Sequence, residues 1–111
     1  MGPDYLAAAI GRLNEIRAEL GLAPMREDPA LMARALEQAW KMAKAENCFH
    51  SEELHGCESV AYYPAQFTTA RVVGECLTDH SPGFKQAEKQ RVGIAVIQYD
   101  GYLYCVMQGE S

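Results

Sequence analysis

The sequence has little basic charge and no long apolar run. It carries 10 lysines and arginines against 15 aspartates and glutamates, which gives a net charge of −5. An acidic chain is not expected to bind nucleic acid or an anionic membrane surface, because both require a basic face. No apolar stretch approaches the roughly 18 residues of a membrane span. We therefore expect neither a nucleic-acid partner nor a transmembrane segment.

Two further signals are missing. The start of the chain lacks the apolar core of a signal peptide and passes directly into helical periodicity. No Cys-x-x-Cys pair occurs, which excludes a zinc ribbon and a thioredoxin-like motif. Four cysteines are present, and they allow three disulfide connectivities. Cys48 and Cys57 are the better candidates for a bridge because they bracket the loop that contains His50, whereas Cys76 and Cys105 are interpreted as buried thiols.

The composition is that of one ordinary globular domain. The chain has 111 residues, of which 49% are hydrophobic and 23% are charged. A chain of this length can bury roughly two-thirds of its unfolded surface, which is enough for a stable core without disulfide bonds or bound metals. We expect residues 1–111 to form a single domain.

The pattern of apolar residues predicts an α+β fold. Asp28-Pro29 is a helix-start signal, and the stripe that follows includes Leu36 and Trp40. Asp100-Gly101 lies between two apolar runs and predicts a tight hairpin. The first run, Arg91–Tyr99, is apolar on both faces, so both faces of its sheet must be covered. The predicted architecture is a three-layer α-β-α sandwich with a small antiparallel sheet.

Potential ligands and proton carriers are concentrated between Asn47 and Ala61. This stretch contains two histidines, two cysteines and three glutamates. A histidine held by a carboxylate has a defined tautomer and a tuned basicity, which suits base catalysis or metal binding. The alternative interpretation is that the carboxylate only orients the histidine and ties the loop to the sheet.

Four stretches of the chain match a known pattern in the right order. The first is an opening helix followed by Gly-Leu-x-Pro-Leu, which is matched by Leu13–Arg17 and Gly21–Met25. The second is an Ala/Trp-rich helix, which begins here at Asp28. The third is a His-Ser loop with a Gly-Glu-Asn-Ile-Ala strand, matched by Phe49–Ser51 and Cys57–Ala61. The fourth is Ser-Pro-Gly-His with Gly-Val-Gly-Val, matched by Ser81–Phe84 and Val92–Val96. The chain thus resembles the CAP superfamily (cysteine-rich secretory proteins, antigen 5 and pathogenesis-related proteins), especially its compact bacterial members.

The resemblance implies a cleft with two histidines and two acidic residues. His50 and Glu58 match the first histidine and the glutamate, but Phe84 stands where the second histidine is expected. Asp79 or Glu75 lies nearest to the second acidic position. The resemblance thus makes His50 and Glu58 the candidate pair. The candidate binding residues of the same cleft are Ser51, Asp79 and Phe84, together with Tyr62 as a lining side chain.

This degenerate site leads to two functional hypotheses. The first is a secreted or cell-surface binding domain that holds a peptide, lipid or protein partner without catalysis. The second is a small hydrolase that works through His50 and Glu58, with Cys57 as a candidate nucleophile. Zinc needs about three or four convergent ligands, so we expect no bound metal or cofactor. On this interpretation Phe84→His would strengthen zinc binding by restoring a ligand.

Overall fold

The chain forms three α-helices and four β-strands. A computed structural model describes all 111 residues. In chain order the elements are α1 (Pro3–Glu19), β1 (Arg26–Glu27), α2 (Pro29–Ala45), β2 (Cys57–Pro64), α3 (Ala70–His80), β3 (Arg91–Tyr99) and β4 (Tyr102–Glu110). Two short 3-10 turns, Ala65–Phe67 and Pro82–Lys85, flank α3.

The four strands form one mixed sheet in the order β1-β3-β4-β2. The hairpin β3–β4 and the pair β2–β4 are antiparallel, as predicted. The short strand β1 adds a parallel pair with β3 at the opposite edge. Asp28 donates its backbone N–H to the carbonyl of Val92 over 2.9 Å, so α2 starts beside this edge.

Helices cover both faces of the sheet, which confirms the predicted α-β-α sandwich. Val92, Ile94 and Val96 of β3 pack into the larger core cluster with α1 and α3, and we call this side the α1/α3 face. Ala95 packs with Tyr104 and residues of α2 on the other side, which we call the α2 face. Successive residues of a strand point to opposite faces, so β3 can supply both clusters. None of the helices is both long and apolar enough to cross a membrane.

Two local sequence signals fix the start of α2 and the turn between β3 and β4. The Asp28 carboxylate accepts hydrogen bonds from the backbone N–H groups of Ala30 and Leu31 and caps α2. In the hairpin, Asp100 and Gly101 have φ values of 49° and 83°. A two-residue turn in which both residues have positive φ matches the twist of the flanking strands. The Asp-Gly pair therefore sets the register of β3 against β4.

The buried face of α2 differs from the predicted stripe. Leu36 and Trp40 are 44% and 47% exposed, whereas the polar Gln38 is only 4% exposed. The helix meets the sheet through the small residues Ala35, Ala39 and Ala43. This close approach rotates the large apolar side chains away from the sheet. In α3, Val72 and His80 are likewise exposed.

Arg17 is a buried cation at the centre of the α1/α3 side. It is 1% exposed, and its guanidinium donates to the backbone carbonyls of Ala23, Phe84, Gln86 and Lys89. Burial lowers the pKa of Arg17, but arginine stays charged in proteins. Three of these hydrogen bonds join α1 to the segment before β3, and the fourth, to Ala23, holds the link between α1 and β1.

Candidate functional site

The loop between α2 and β2 carries the predicted site residues. Helix α2 ends at Glu46, which adopts the left-handed conformation with φ 50°. From there the chain runs along the edge of the sheet to β2. The buried side chain of Gln38 donates from Nε2 to the carbonyl of Phe49 over 2.7 Å and fixes this part of the loop against α2. His50 and Ser51 follow directly.

The Glu58 carboxylate is the hub of the site. Its Oε1 atom accepts from the backbone N–H of Ser51 over 2.9 Å and lies 2.9 Å from Nδ1 of His50. Its Oε2 atom accepts from the Ser51 hydroxyl and, over 2.7 Å, from Nε2 of Gln108. Gln108 is the cross-strand partner of Glu58 on β4. A carboxylate offers about four lone-pair positions, so these four contacts fill it.

The hydrogen bonds keep Glu58 ionised although its side chain is fully enclosed. Burial alone raises the pKa of a carboxyl group. Here the hydrogen bonds from Ser51, Gln108 and His50 outweigh burial, and the pKa of Glu58 lies below its ordinary value. Glu58 is therefore an anionic acceptor, not a carboxylic acid with a proton to give.

An ionised Glu58 determines the tautomer of His50. Because the carboxylate can only accept, Nδ1 of the neutral imidazole carries the proton and donates to it. The Nε2 lone pair then faces away from Glu58. The His50 side chain is 63% exposed, so this nitrogen is presented to solvent and to any ligand at the surface. The predicted approach of His50 and Glu58 to hydrogen-bond distance is confirmed; the role of the pair stays a prediction.

A polar cavity of about 340 Å³ adjoins the pair. It lies between α2 and the loop segment Ser51–His55, and Ser51 and Gln108 line both the cavity and the Glu58 site. No hydrophobic residue lines it. The walls therefore offer mainly hydrogen bonds and charges, and their apolar surface comes only from the aliphatic parts of polar side chains.

Phe84 and Cys57 do not belong to this site. Phe84 is fully buried in the cluster on the α1/α3 face, whereas the Glu58 side chain points to the α2 face. Cys57 precedes Glu58 on β2 and so faces the α1/α3 side, where its Sγ lies beside Gly83 and Gly109. The prediction of Phe84 as a binding residue beside His50 is wrong, and so is the prediction of Cys57 as a nucleophile that works with His50.

The disulfide between Cys48 and Cys57 is absent as well. All four cysteines are unpaired. Cys48 packs against the cluster on the α2 face and Cys57 against the cluster on the other face, so strand β2 lies between the two thiols. Burial raises the pKa of the Cys57 thiol, although Lys89 and Arg17 oppose the shift. A protonated, half-buried thiol is a poor nucleophile.

Two other predicted binding residues lie away from His50. The Asp79 carboxylate is 2.7 Å from Nζ of Lys85 on the α3 side, and no contact joins it to the loop. Tyr62 shares the strand and the face of Glu58, but four residues of extended chain separate them by roughly 13 Å. It packs against the rings of Tyr102 and Tyr104 with centroid distances of 5.6 Å and 6.0 Å. Of the six predicted residues, the structure brings together His50, Ser51 and Glu58.

The donor set of the site does not fit zinc. His50 offers one free nitrogen, and both Glu58 oxygens are already hydrogen-bonded. No group of three or more histidine, cysteine, aspartate or glutamate side chains is arranged to hold a metal ion. Structural and catalytic zinc sites take at least three protein ligands. The side chains of this site therefore do not form a zinc site.

The two glutamines of the site do not follow from any motif in the sequence. Gln38 and Gln108 are each 4% exposed, and both lie on elements that otherwise bury apolar residues. Buried polar side chains need a partner, so a glutamine on the buried face of α2 and another at the end of an apolar strand are the signals by which such residues can be found.

Comparison with known sequences and structures agrees with the fold. A sequence model described as "CAP: Cysteine-rich secretory protein family" matches residues 10–108. No curated protein matches the chain.

Several solved structures share the fold at low sequence identity. An outer surface protein from Borrelia burgdorferi has a TM-score of 0.74 and 16% identity, over 97% of this chain and 93% of that chain. A hookworm platelet inhibitor has a TM-score of 0.71 and 16% identity, over 100% of this chain and 71% of that chain. A cysteine-rich secretory protein from Staphylococcus aureus has a TM-score of 0.62 and 14% identity, over 100% of this chain and 40% of that chain.

Proposed function

The chain belongs to the cysteine-rich secretory protein (CAP) family, and from this premise we propose that it is a binding domain that works outside the cell and holds a peptide segment at His50 without catalysis. The ligand would lie across the exposed imidazole and extend into the polar cavity beside it. A free peptide and an extended segment of a protein partner present the same chemistry to such a site.

One observation carries the proposal: the Glu58 carboxylate accepts four hydrogen bonds. A general acid or base must exchange a proton with a reacting group, and an acid–base pair divides this task between two residues. Glu58 has no free position for that exchange. His50 is left as a single polar contact at the surface, which can accept a hydrogen bond from a ligand N–H through Nε2.

The polarity of the surroundings supports a peptide over a lipid. The cavity beside the pair has no hydrophobic lining residue. Lipid binding requires burial of apolar area, at roughly 25 cal/mol per Å², and these mainly polar walls supply little of it. Peptide backbones and polar side chains instead offer the donors and acceptors that such walls can satisfy.

The extracellular location is supported by the family and by similar proteins of known fold. The family is that of the cysteine-rich secretory proteins. The similar proteins include one called an outer surface protein and one called a secretory protein. These names describe those proteins, and we extend the location to this chain as part of the proposal.

A hydrolase remains the second candidate because a histidine oriented by a carboxylate is an arrangement that general bases use. The nucleophile would have to be a water molecule activated by Nε2 of His50. The Ser51 hydroxyl donates to Glu58, and Cys57 faces the other side of the sheet. This candidate predicts cleavage, which distinguishes it from binding.

The test is selection from a random displayed peptide library, followed by titration of the selected peptides against the wild type and His50→Ala. The proposal predicts peptides whose affinity falls ~10-fold or more in His50→Ala, since one hydrogen bond to a polar group is worth about 1.4 kcal/mol or more. His80→Ala, which changes another exposed histidine at the end of α3, is the matched control and should bind as the wild type does. Selected peptides that bind His50→Ala unchanged would refute the site.

A further inference from the structure

The cavity beside the site contains two buried amide groups whose orientation is fixed by their partners. Gln38 donates from Nε2 to the carbonyl of Phe49, and a carbonyl can only accept. Gln108 donates from Nε2 to the ionised Glu58 carboxylate and to the Ser51 hydroxyl. The amide nitrogen of each side chain is therefore assigned, and each oxygen points the other way.

Neither amide oxygen has a partner within the protein. Both glutamines are 4% exposed, both line the cavity, and no hydrogen bond involves Oε1 of either. The only enclosed side-chain atoms without a partner are the hydroxyls of Tyr5 and Tyr63, so the two amide oxygens are open to the cavity. Water can meet these open acceptors in the free protein, and the donor of a bound ligand would take its place. The cavity thus presents two acceptors that a ligand would satisfy.

The charges around the cavity are unbalanced towards the negative. Of the cations that line it, Arg34 forms an ion pair with Glu110 at 2.7 Å and Lys41 forms one with Glu37 at 3.4 Å. Glu52 and Glu53 also line the cavity, and neither takes part in an ion pair. Two uncompensated carboxylates therefore accompany the two amide oxygens. This set favours a cation with many donors.

We propose that this cavity binds a guanidinium group, as presented by an arginine side chain, next to His50. Guanidinium has five N–H donors in a planar fork and matches several oxygen acceptors at once, whereas an ammonium group has three. The inference rests on the proposed function, because it names the side chain that a bound peptide would place beside the imidazole.

The experiment is a two-dimensional amide NMR titration of the folded protein with N-acetyl-L-arginine amide. We expect saturable shifts of the side-chain amide resonances of Gln38 and Gln108 and of the backbone resonances of Glu52 and Glu53. N-acetyl-L-citrulline amide has nearly the same shape without the charge and should cause no such shifts at equal concentration. N-acetyl-L-lysine amide should bind at least ~3-fold more weakly, because it offers fewer donors.

Matched variants separate local from overall charge. Glu52→Gln with Glu53→Gln should weaken binding of N-acetyl-L-arginine amide by ~10-fold, since two nearby charges are lost. Glu27→Gln with Glu88→Gln changes the net charge equally at exposed positions outside the cavity and should leave the affinity within ~2-fold of wild type. Equal weakening in both double variants, equal binding of citrulline or lysine, or absence of shifts at Gln38 and Gln108 would each overturn the inference. The probe contains no peptide segment, so its failure together with His50-dependent peptide binding would refute the guanidinium site alone.

Discussion

Nδ1 of His50 lies 2.9 Å from a carboxylate oxygen of Glu58 that belongs to a fully hydrogen-bonded, buried anion. The pair joins an exposed loop to the edge strand of the sheet, and the loop in turn is held by Gln38 of α2. A change at Glu58 therefore affects both the stability of the domain and the presentation of His50.

Glu58→Gln should destabilise the domain by about 1.5–3 kcal/mol, because the neutral amide cannot accept all four hydrogen bonds and places its own N–H donors against donors. Urea denaturation at neutral pH measures the change. Glu53→Gln, an exposed glutamate of the same loop, is the control and should change the free energy of unfolding by less than about 0.5 kcal/mol. A Glu58→Gln variant as stable as this control would contradict the hydrogen-bonded anion.

The stability of the domain should fall with pH in acid, and Glu58 should account for part of the fall. Its pKa is lower in the folded protein than in the unfolded chain, where it is about 4.3. As the pH falls below that value the unfolded state takes up the proton first, so stability is present above about pH 4.3 and is lost through the lower folded pKa. Asp28 shifts in the same direction, so the wild type must be compared with Glu58→Gln. Urea denaturation between pH 7 and pH 3 should give a shallower acid loss for the variant; parallel curves would contradict the assignment.

Phe84→His should destabilise the domain and should not create a zinc site, which reverses the expectation from the sequence. Phe84 is fully buried on the face of the sheet opposite Glu58. An imidazole at this position would be shielded from solvent and could not share a metal ion with His50. We expect a loss of about 2–4 kcal/mol from lost packing and burial of a polar ring. Phe84→Leu is the control and should lose less. Thermal denaturation and zinc titration measure both effects, and tight zinc binding by Phe84→His would return position 84 to the site.

Two glycines within helices should respond oppositely to alanine. A Cβ at Gly74 of α3 would collide with the backbone of Ala9 on α1, so Gly74→Ala should cost about 1–3 kcal/mol. A Cβ at Gly11 of α1 meets nothing, so Gly11→Ala should stabilise by about 0.5–1 kcal/mol through helix propensity. Denaturation of both variants tests the close crossing of α1 and α3. Equal effects of the two substitutions would argue against it.

The sequence predicted the elements that local chemistry specifies. Asp28 caps α2, and Asp100-Gly101 turns the hairpin, because one side chain or one dipeptide suffices for each. The two-sided apolar strand β3 likewise predicted helices on both faces. The His50–Glu58 pair followed from the resemblance to the CAP superfamily.

What the sequence did not predict depends on the third dimension. Phe84 and Glu58 lie on opposite faces of the sheet, and a linear motif does not carry that information. The exposure of Trp40 depends on the rotation of α2 against the sheet, which its small residues permit. Gln38 and Gln108 come together only because α2 crosses the sheet beside the end of β4.

The most direct measurement follows one library-selected peptide through binding and cleavage in the same sample. Wild type, His50→Ala and the control His80→Ala are incubated with the peptide, the affinity is measured, and the peptide is then analysed by mass spectrometry. The account predicts that the wild type and His80→Ala bind the peptide and return it intact, whereas His50→Ala binds it ~10-fold more weakly or worse. Cleavage by the wild type that His50→Ala abolishes would contradict the account and establish the hydrolase.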